Sequence, residues 1–85
     1  MPDAELSDFE VAILDFERDW WQHPGSKEQE IRTRFSLSAA RYYQVLGRLI
    51  ATPAALAYDP LLVKRLLRQR DERRRARVAR VRPID

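Results

Sequence analysis

Apolar residues return along this chain at the three- and four-residue intervals of a helix face. Leu6, Phe9, Ile13, Phe16 and Trp20 make one stripe, with Asp8, Asp15, Glu17 and Asp19 largely off it, which predicts a first helix from Asp8 to about Trp21. Its start is marked by Ser7-Asp8-Phe9-Glu10, a capping box, with Leu6 and Val11 placed to close a hydrophobic staple over it. The stripe lasts only about two heptads, short of the three or four that a coiled-coil seam wants, so core packing is its expected use. Trp20 and Trp21 lie about 100° apart on a helix and cannot both face inward. One is expected in the core and the other partly exposed.

His23-Pro24-Gly25 ends the first helix by turn chemistry, and His23 reads as a loop residue. Ser26 followed by Gln29 offers a second capping box, and Glu28 and Glu30 suit the first turn of a helix from about Lys27 to Arg34. Ile31 and Phe35 share one face of it. Ser36-Leu37-Ser38 then interrupts, Ser38 is the natural N-cap of a third helix, and Tyr42, Leu46, Leu49 and Ile50 recur so as to point back at Ile31, Phe35 and Leu37. The third helix should begin at Ala39 and end near Ala51, because Thr52 precedes a proline. Thr52-Pro53 opens a short helical turn through Leu56, and Asp59-Pro60 repeats the device before a last helix whose first half carries Leu61, Leu62, Val63, Leu66 and Leu67. After that the composition changes abruptly to arginine. The expected architecture is all-α: a small bundle of four main helices containing a helix-turn-helix over residues 1–70, with a basic extension over residues 71–85 as an Arg-rich helix or tail. Order is expected to be lost beyond about Arg77 without a partner.

At 85 residues the chain is expected to hold one domain with a modest core. It has no Cys, hence no disulfide framework and no thiolate metal site. No apolar run approaches the roughly 20 residues of a membrane span, and Met1-Pro2-Asp3-Ala4-Glu5 is acidic where a signal peptide is basic. A cytoplasmic protein away from membranes is the expectation. The net charge of +3 hides a polarity. Residues 1–30 hold nine acidic side chains against Arg18 and Lys27, a net of −7, and the remainder holds fourteen Lys and Arg against four acids, a net of +10. A polyanion is expected at the basic end, leaving the acidic end for something else.

Within the basic part, no acidic residue occurs between Ile31 and Tyr58. The outward face of the third helix carries Ala39, Ala40, Arg41, Tyr43, Gln44, Gly47 and Arg48 by periodicity. Small residues at its start let backbone approach a groove floor, and Arg41 and Gln44 have the bidentate geometry that reads base edges. Candidate base contacts are therefore Ser38, Ala39, Ala40, Arg41, Tyr43 and Gln44, and candidate phosphate contacts are Arg32, Arg34, Arg48, Arg70, Arg73, Arg74 and Arg77. Continued helically, Arg70, Arg73, Arg74, Arg77 and Arg80 make one guanidinium stripe, with Arg82 beyond it. The blander readings are that Arg32 and Arg34 satisfy helix C-terminal carbonyls, and that the tail is a solvated run paired through Arg68 with Glu72 and Asp71 with Arg75. Arginine in place of lysine suits bidentate phosphate recognition.

The Ile31–Leu46 stretch resembles the DNA-binding helix-turn-helix at the C-terminal, promoter-binding end of sigma factors. The buried positions of that pattern fall on Ile31, Phe35, Leu37, Tyr42, Val45 and Leu46. It departs at Arg32, where a small residue is expected, and at Ser36, where glycine is. A left-handed serine costs roughly 1 kcal/mol relative to glycine, so a slightly wider turn is expected. The Trp-Trp pair, the Arg-Tyr-Tyr-Gln-Val-Leu run and the Leu-Val-Lys-Arg-Leu lead into an Arg-rich end together resemble a small actinobacterial helix-turn-helix family of unknown function, over about Phe9 to Arg80. What the resemblance implies is DNA binding, with no target, effector or catalytic residue attached.

The resulting expectation is a DNA-binding protein of the nucleoid, a transcriptional regulator or a nucleoid-associated protein. Its partner would be double-stranded DNA, entered in the major groove by the helix from Ala39 to Ala51. The alternative is an interaction module that binds RNA polymerase or a sigma factor through the acidic first helix, which could also serve a homodimer. An Arg-rich helix also suits RNA. An enzyme is not expected: there is one His, no glycine-rich phosphate loop and no carboxylate pair outside solvated faces, and no cofactor or metal is implied.

Overall fold

In the computed structural model, residues 5–22 and 25–81 are described, with side chains to residue 78. They form five α-helices and no strand: α1 (Asp8–Asp19), α2 (Lys27–Phe35), α3 (Ala39–Leu49), α4 (Pro53–Tyr58) and α5 (Pro60–Val81). Each start is set by the residue that precedes it. The Ser7 hydroxyl accepts from the Glu10 amide at 3.1 Å while the Glu10 carboxylate accepts from the Ser7 amide at 2.9 Å, a complete capping box. Ser26, Ser38 and Thr52 cap α2, α3 and α4 by accepting from the third amide onward, so the box expected at Ser26 and Gln29 is a one-way cap among the described residues, and the Asp59 carboxylate accepts from Leu62 N–H at the head of α5.

α1 stops two residues earlier than its apolar spacing suggests and finishes in a 3₁₀ turn over Trp20–Gln22. Trp20 is half-buried and Trp21 stands out, its indole N–H donating to the Arg18 carbonyl at 3.1 Å. Gly25 has φ 94°, a left-handed conformation that a residue without Cβ adopts at no steric cost. His23 and Pro24, read as part of this turn, lie outside the described residues.

The core is made by Ile13, Leu14 and Phe16 of α1, Ile31 of α2, Tyr42, Leu46 and Leu49 of α3, Ile50 and Ala55 after it, and Leu62 and Val63 of α5. Rings join the first three helices. Phe35 meets Phe9 and Phe16 edge-on at 6.0 and 5.6 Å, and Tyr42 stacks on Phe35 at 5.6 Å. Such contacts add about 0.5–1.5 kcal/mol each beyond area burial.

Four side chains depart from the periodicity. Leu14, off the expected stripe, is fully buried, and Phe9, on it, is half open. Leu61, expected in the core, is 82% exposed. Glu17, expected off the stripe, is 3% exposed. The inward arc of α1 is centred between Ile13 and Glu17 because two neighbours, α2–α3 on one side and α5 on the other, press on it. A second tie runs on the acidic side of α1: Asp15 accepts from the Tyr58 hydroxyl at 2.7 Å, and Arg18 reaches Asp15 at 3.3 Å and Asp59 at 3.4 Å. Part of the acidity of the first thirty residues is thus spent on holding α1 to the junction of α4 and α5.

Among the described residues no helix is long and apolar enough to cross a membrane.

Candidate nucleic-acid interface

The α2–α3 turn fixes what the third helix can present. Ser36 takes φ 57° and ψ 34°, the left-handed conformation that glycine would adopt there, and its amide bonds back to the Arg32 carbonyl at 3.0 Å. The wider turn expected from serine does not form. The tight geometry is kept, and its strain of roughly 1 kcal/mol is carried by the packing of Ile31 and Phe35 on Tyr42. The positions that the helix-turn-helix pattern requires to be inward are so: Ile31, Tyr42 and Leu46 are buried, and Phe35, Leu37 and Val45 are half-buried against the core.

With its back held, α3 turns Ala40, Arg41, Tyr43, Gln44 and Arg48 to solvent, and Ser38 is exposed at its cap. Ala39 and Gly47, expected on the same face, are half-buried at its edges. The Arg41 guanidinium donates to the Gln44 side-chain oxygen at 3.2 Å, so the two candidate base-readers form a single i, i+3 unit on the open face. Tyr43 is more constrained. Its ring meets Tyr42 edge-on at 5.2 Å and has the Lys27 ammonium 5.3 Å above it, which fixes it at the flank of the face that looks toward α5.

Under this flank lies a buried polar group that periodicity missed. The Glu17 carboxylate accepts from the Tyr42 hydroxyl at 2.5 Å and from the Lys27 ammonium at 3.0 Å, and that ammonium also sits 5.0 Å from the Trp20 ring. A buried carboxylate is tolerable only when its oxygens are met in this way. The signal was present: Glu17 is four residues after Ile13 and three before Trp20, on the same arc. Burial, reinforced by the charge and the hydrogen bond of Glu17, pushes the Tyr42 hydroxyl well above the usual tyrosine pKa.

Of the phosphate candidates, Arg32 and Arg48 are exposed, and Arg34 is engaged: it pairs with Glu30 at 2.9 Å and lies 5.6 Å over the Phe16 ring. α5 runs on to Val81, and from Asp71 to Val78 every side chain is exposed, so Arg73, Arg74 and Arg77 stand on a helix with no apolar back. The local pairs of the blander reading, Arg68 with Glu72 and Asp71 with Arg75, do not form among the described residues; Asp71 instead lies 3.9 Å from Arg70 Nε. Arg80, although within α5, has a side chain outside the described residues, and so does Arg82.

The two basic surfaces meet. Tyr43 and Gly47 of α3 and Gln69, Arg70 and Arg73 of α5 line one cleft, with Leu46, Ile50 and Leu66 as its apolar wall and Glu17 and Lys27 at its inner end. The near end of the arginine helix therefore stands beside the flank of the α3 face. Among the described residues no group of three His, Cys, Asp or Glu is placed to hold a metal ion.

Residues 5–78 match the family described as protein of unknown function (DUF3263), and the chain belongs to that family. Comparisons with curated proteins and with solved structures return no match.

Proposed function

We propose that this member of the family is a DNA-binding protein of the regulatory or nucleoid-associated kind, entering the major groove with α3 and holding phosphates with α5. The observation that carries the reading is the open face of α3, where Arg41 and Gln44 stand as a bonded pair behind the small residue Ala40, on a helix whose opposite side is locked into the core. An arginine–glutamine pair offers bidentate donors and a donor–acceptor amide, the groups that distinguish guanine and adenine edges. Exposed guanidinium groups of Arg73, Arg74 and Arg77 supply the sequence-independent part of the affinity. The described residues offer one recognition helix, so dimerisation or a second DNA-bound partner would raise the affinity.

The alternative reading, contact with RNA polymerase or a sigma factor through α1, is favoured by Trp21, which is 67% exposed beside the acidic helix. Titration of the full chain against a random duplex at two salt concentrations separates the two. The DNA reading expects binding that weakens steeply with salt, by about 0.9 in log–log slope for each phosphate engaged. Absence of any salt-dependent binding to duplex DNA would falsify it and leave the protein-contact reading.

A further inference from the structure

The cleft between α3 and α5 contains two features that nothing among the described residues explains. Gly47 lies in the interior of α3, where glycine weakens a helix, yet a Cβ built on it meets no atom within 4 Å. Neither a close helix contact nor a positive φ calls for glycine there. The absent side chain leaves open space in the cleft wall. Opposite, the Arg70 Nε–H is withdrawn from solvent without an acceptor among the described residues, where its nearest carboxylate is Asp71 at 3.9 Å.

We infer that this cleft is a binding site for a small aromatic carboxylate, its ring against Leu46, Ile50 and Leu66 over Gly47 and its carboxylate toward Arg70 and Gln69. The volume is about 130 Å³, near the ~150 Å³ of an engineered apolar cavity that takes up benzene. An apolar wall with a few convergent polar groups is the usual make-up of a small-molecule site, whereas a bare phosphate has no use for the leucine and isoleucine surface. Glu17, at the inner end, does not repel the anion, because its charge is already met by Lys27 at 3.0 Å and its oxygen by the Tyr42 hydroxyl. A carboxylate accepting from a guanidinium gains a charge-assisted, geometrically matched bond, and a small turn of the Arg70 side chain brings its unmet donor to it.

The test is a titration of the full chain with sodium benzoate, followed by amide and methyl NMR shifts and made without DNA, so that this site and the DNA reading can fail separately. Benzoate should move Leu46, Gly47, Ile50 and Leu66 in a saturable way. Benzyl alcohol, which has the ring without the charge, and inorganic phosphate, which has charge without the ring, should each bind more weakly. Arg70→Gln should weaken benzoate by about tenfold. Gly47→Leu, which projects into open space, should abolish binding while circular dichroism and thermal unfolding report an intact fold. No saturable shift at these residues with benzoate at about 50 mM, far above a weak Kd of about 1 mM, overturns the inference. Equal shifts with phosphate or benzyl alcohol, or undiminished benzoate binding in a folded Gly47→Leu protein, overturn it as well.

Discussion

α3 and the distal half of α5 both offer arginines to solvent, but they are built in opposite ways. α3 has a back: Tyr42, Leu46 and Leu49 are buried, Tyr42 is tied to Glu17, and the helix is capped at Ser38 and steered by the left-handed Ser36. The distal half of α5 has none, since every side chain from Asp71 to Val78 is exposed. A helix fixed on three sides holds its polar groups in a set register, which is what discrimination between base pairs requires. An arginine helix without a back has no such register, and its charge acts by number and nearness, which is enough for phosphates. Under the DNA-binding function proposed above, the contrast would give selectivity to one surface and affinity to the other.

The largest effect expected is from removing the back of α3. Tyr42→Ala takes away a fully buried ring and the hydroxyl partner of Glu17, and should cost about 3–5 kcal/mol in urea unfolding, enough to unfold much of the protein. A loss under about 1 kcal/mol would mean that the α3 face is not held as described. At the other surface the same measurement should hardly move: the triple change Arg73→Ala, Arg74→Ala and Arg77→Ala should stay within about 0.5 kcal/mol of the parent stability, while the slope of log affinity for random duplex against log salt falls by about 2.7. An unchanged slope would remove the phosphate role of α5.

Arg41→Ala should sharpen the division. It is expected to cost about 1–3 kcal/mol at a single base pair of a preferred site and little on random DNA. Equal losses on both would place Arg41 with the phosphate contacts.

The alkaline limb gives a smaller and more specific readout. Tyr42 keeps its proton in the folded state beyond the pH at which an unfolded tyrosine, pKa about 10, gives it up. Above pH of about 10 the unfolded chain therefore binds fewer protons than the native one, and stability falls as pH rises. The slope should be about 1.4 kcal/mol per pH unit for this group. The hydroxyl of Tyr58, raised mainly by its hydrogen bond to Asp15, acts in the same direction. Tyr42→Phe should take one proton out of that slope, and an unaltered slope would show that the Tyr42–Glu17 bond does not persist in solution.

Smallest is the turn. Ser36→Gly relieves a left-handed serine and should raise stability by about 1 kcal/mol or less, with no change in fold. A destabilisation would mean that the serine side chain contributes more than its backbone costs.

Sequence alone determined what depends on neighbours along the chain. The capping residues Ser7, Ser26, Ser38, Thr52 and Asp59, the break at Ser36, and the inward residues Ile31, Tyr42 and Leu46 were all legible, because a cap is a bond to an amide three residues on and a helix face repeats at a fixed period. Tertiary structure decided what depends on which elements meet. Glu17 went inward because the Tyr42 hydroxyl and the Lys27 ammonium, 25 and 10 residues away, were there to receive it. Leu61 was left outside because α5 turns only Leu62, Val63, Leu66 and Leu67 to the body. The vacancy over Gly47 became a cleft because α5 passes alongside. Period and propensity are local quantities, whereas the free energy of burying a charge or leaving a space is set by atoms brought together from distant parts of the chain.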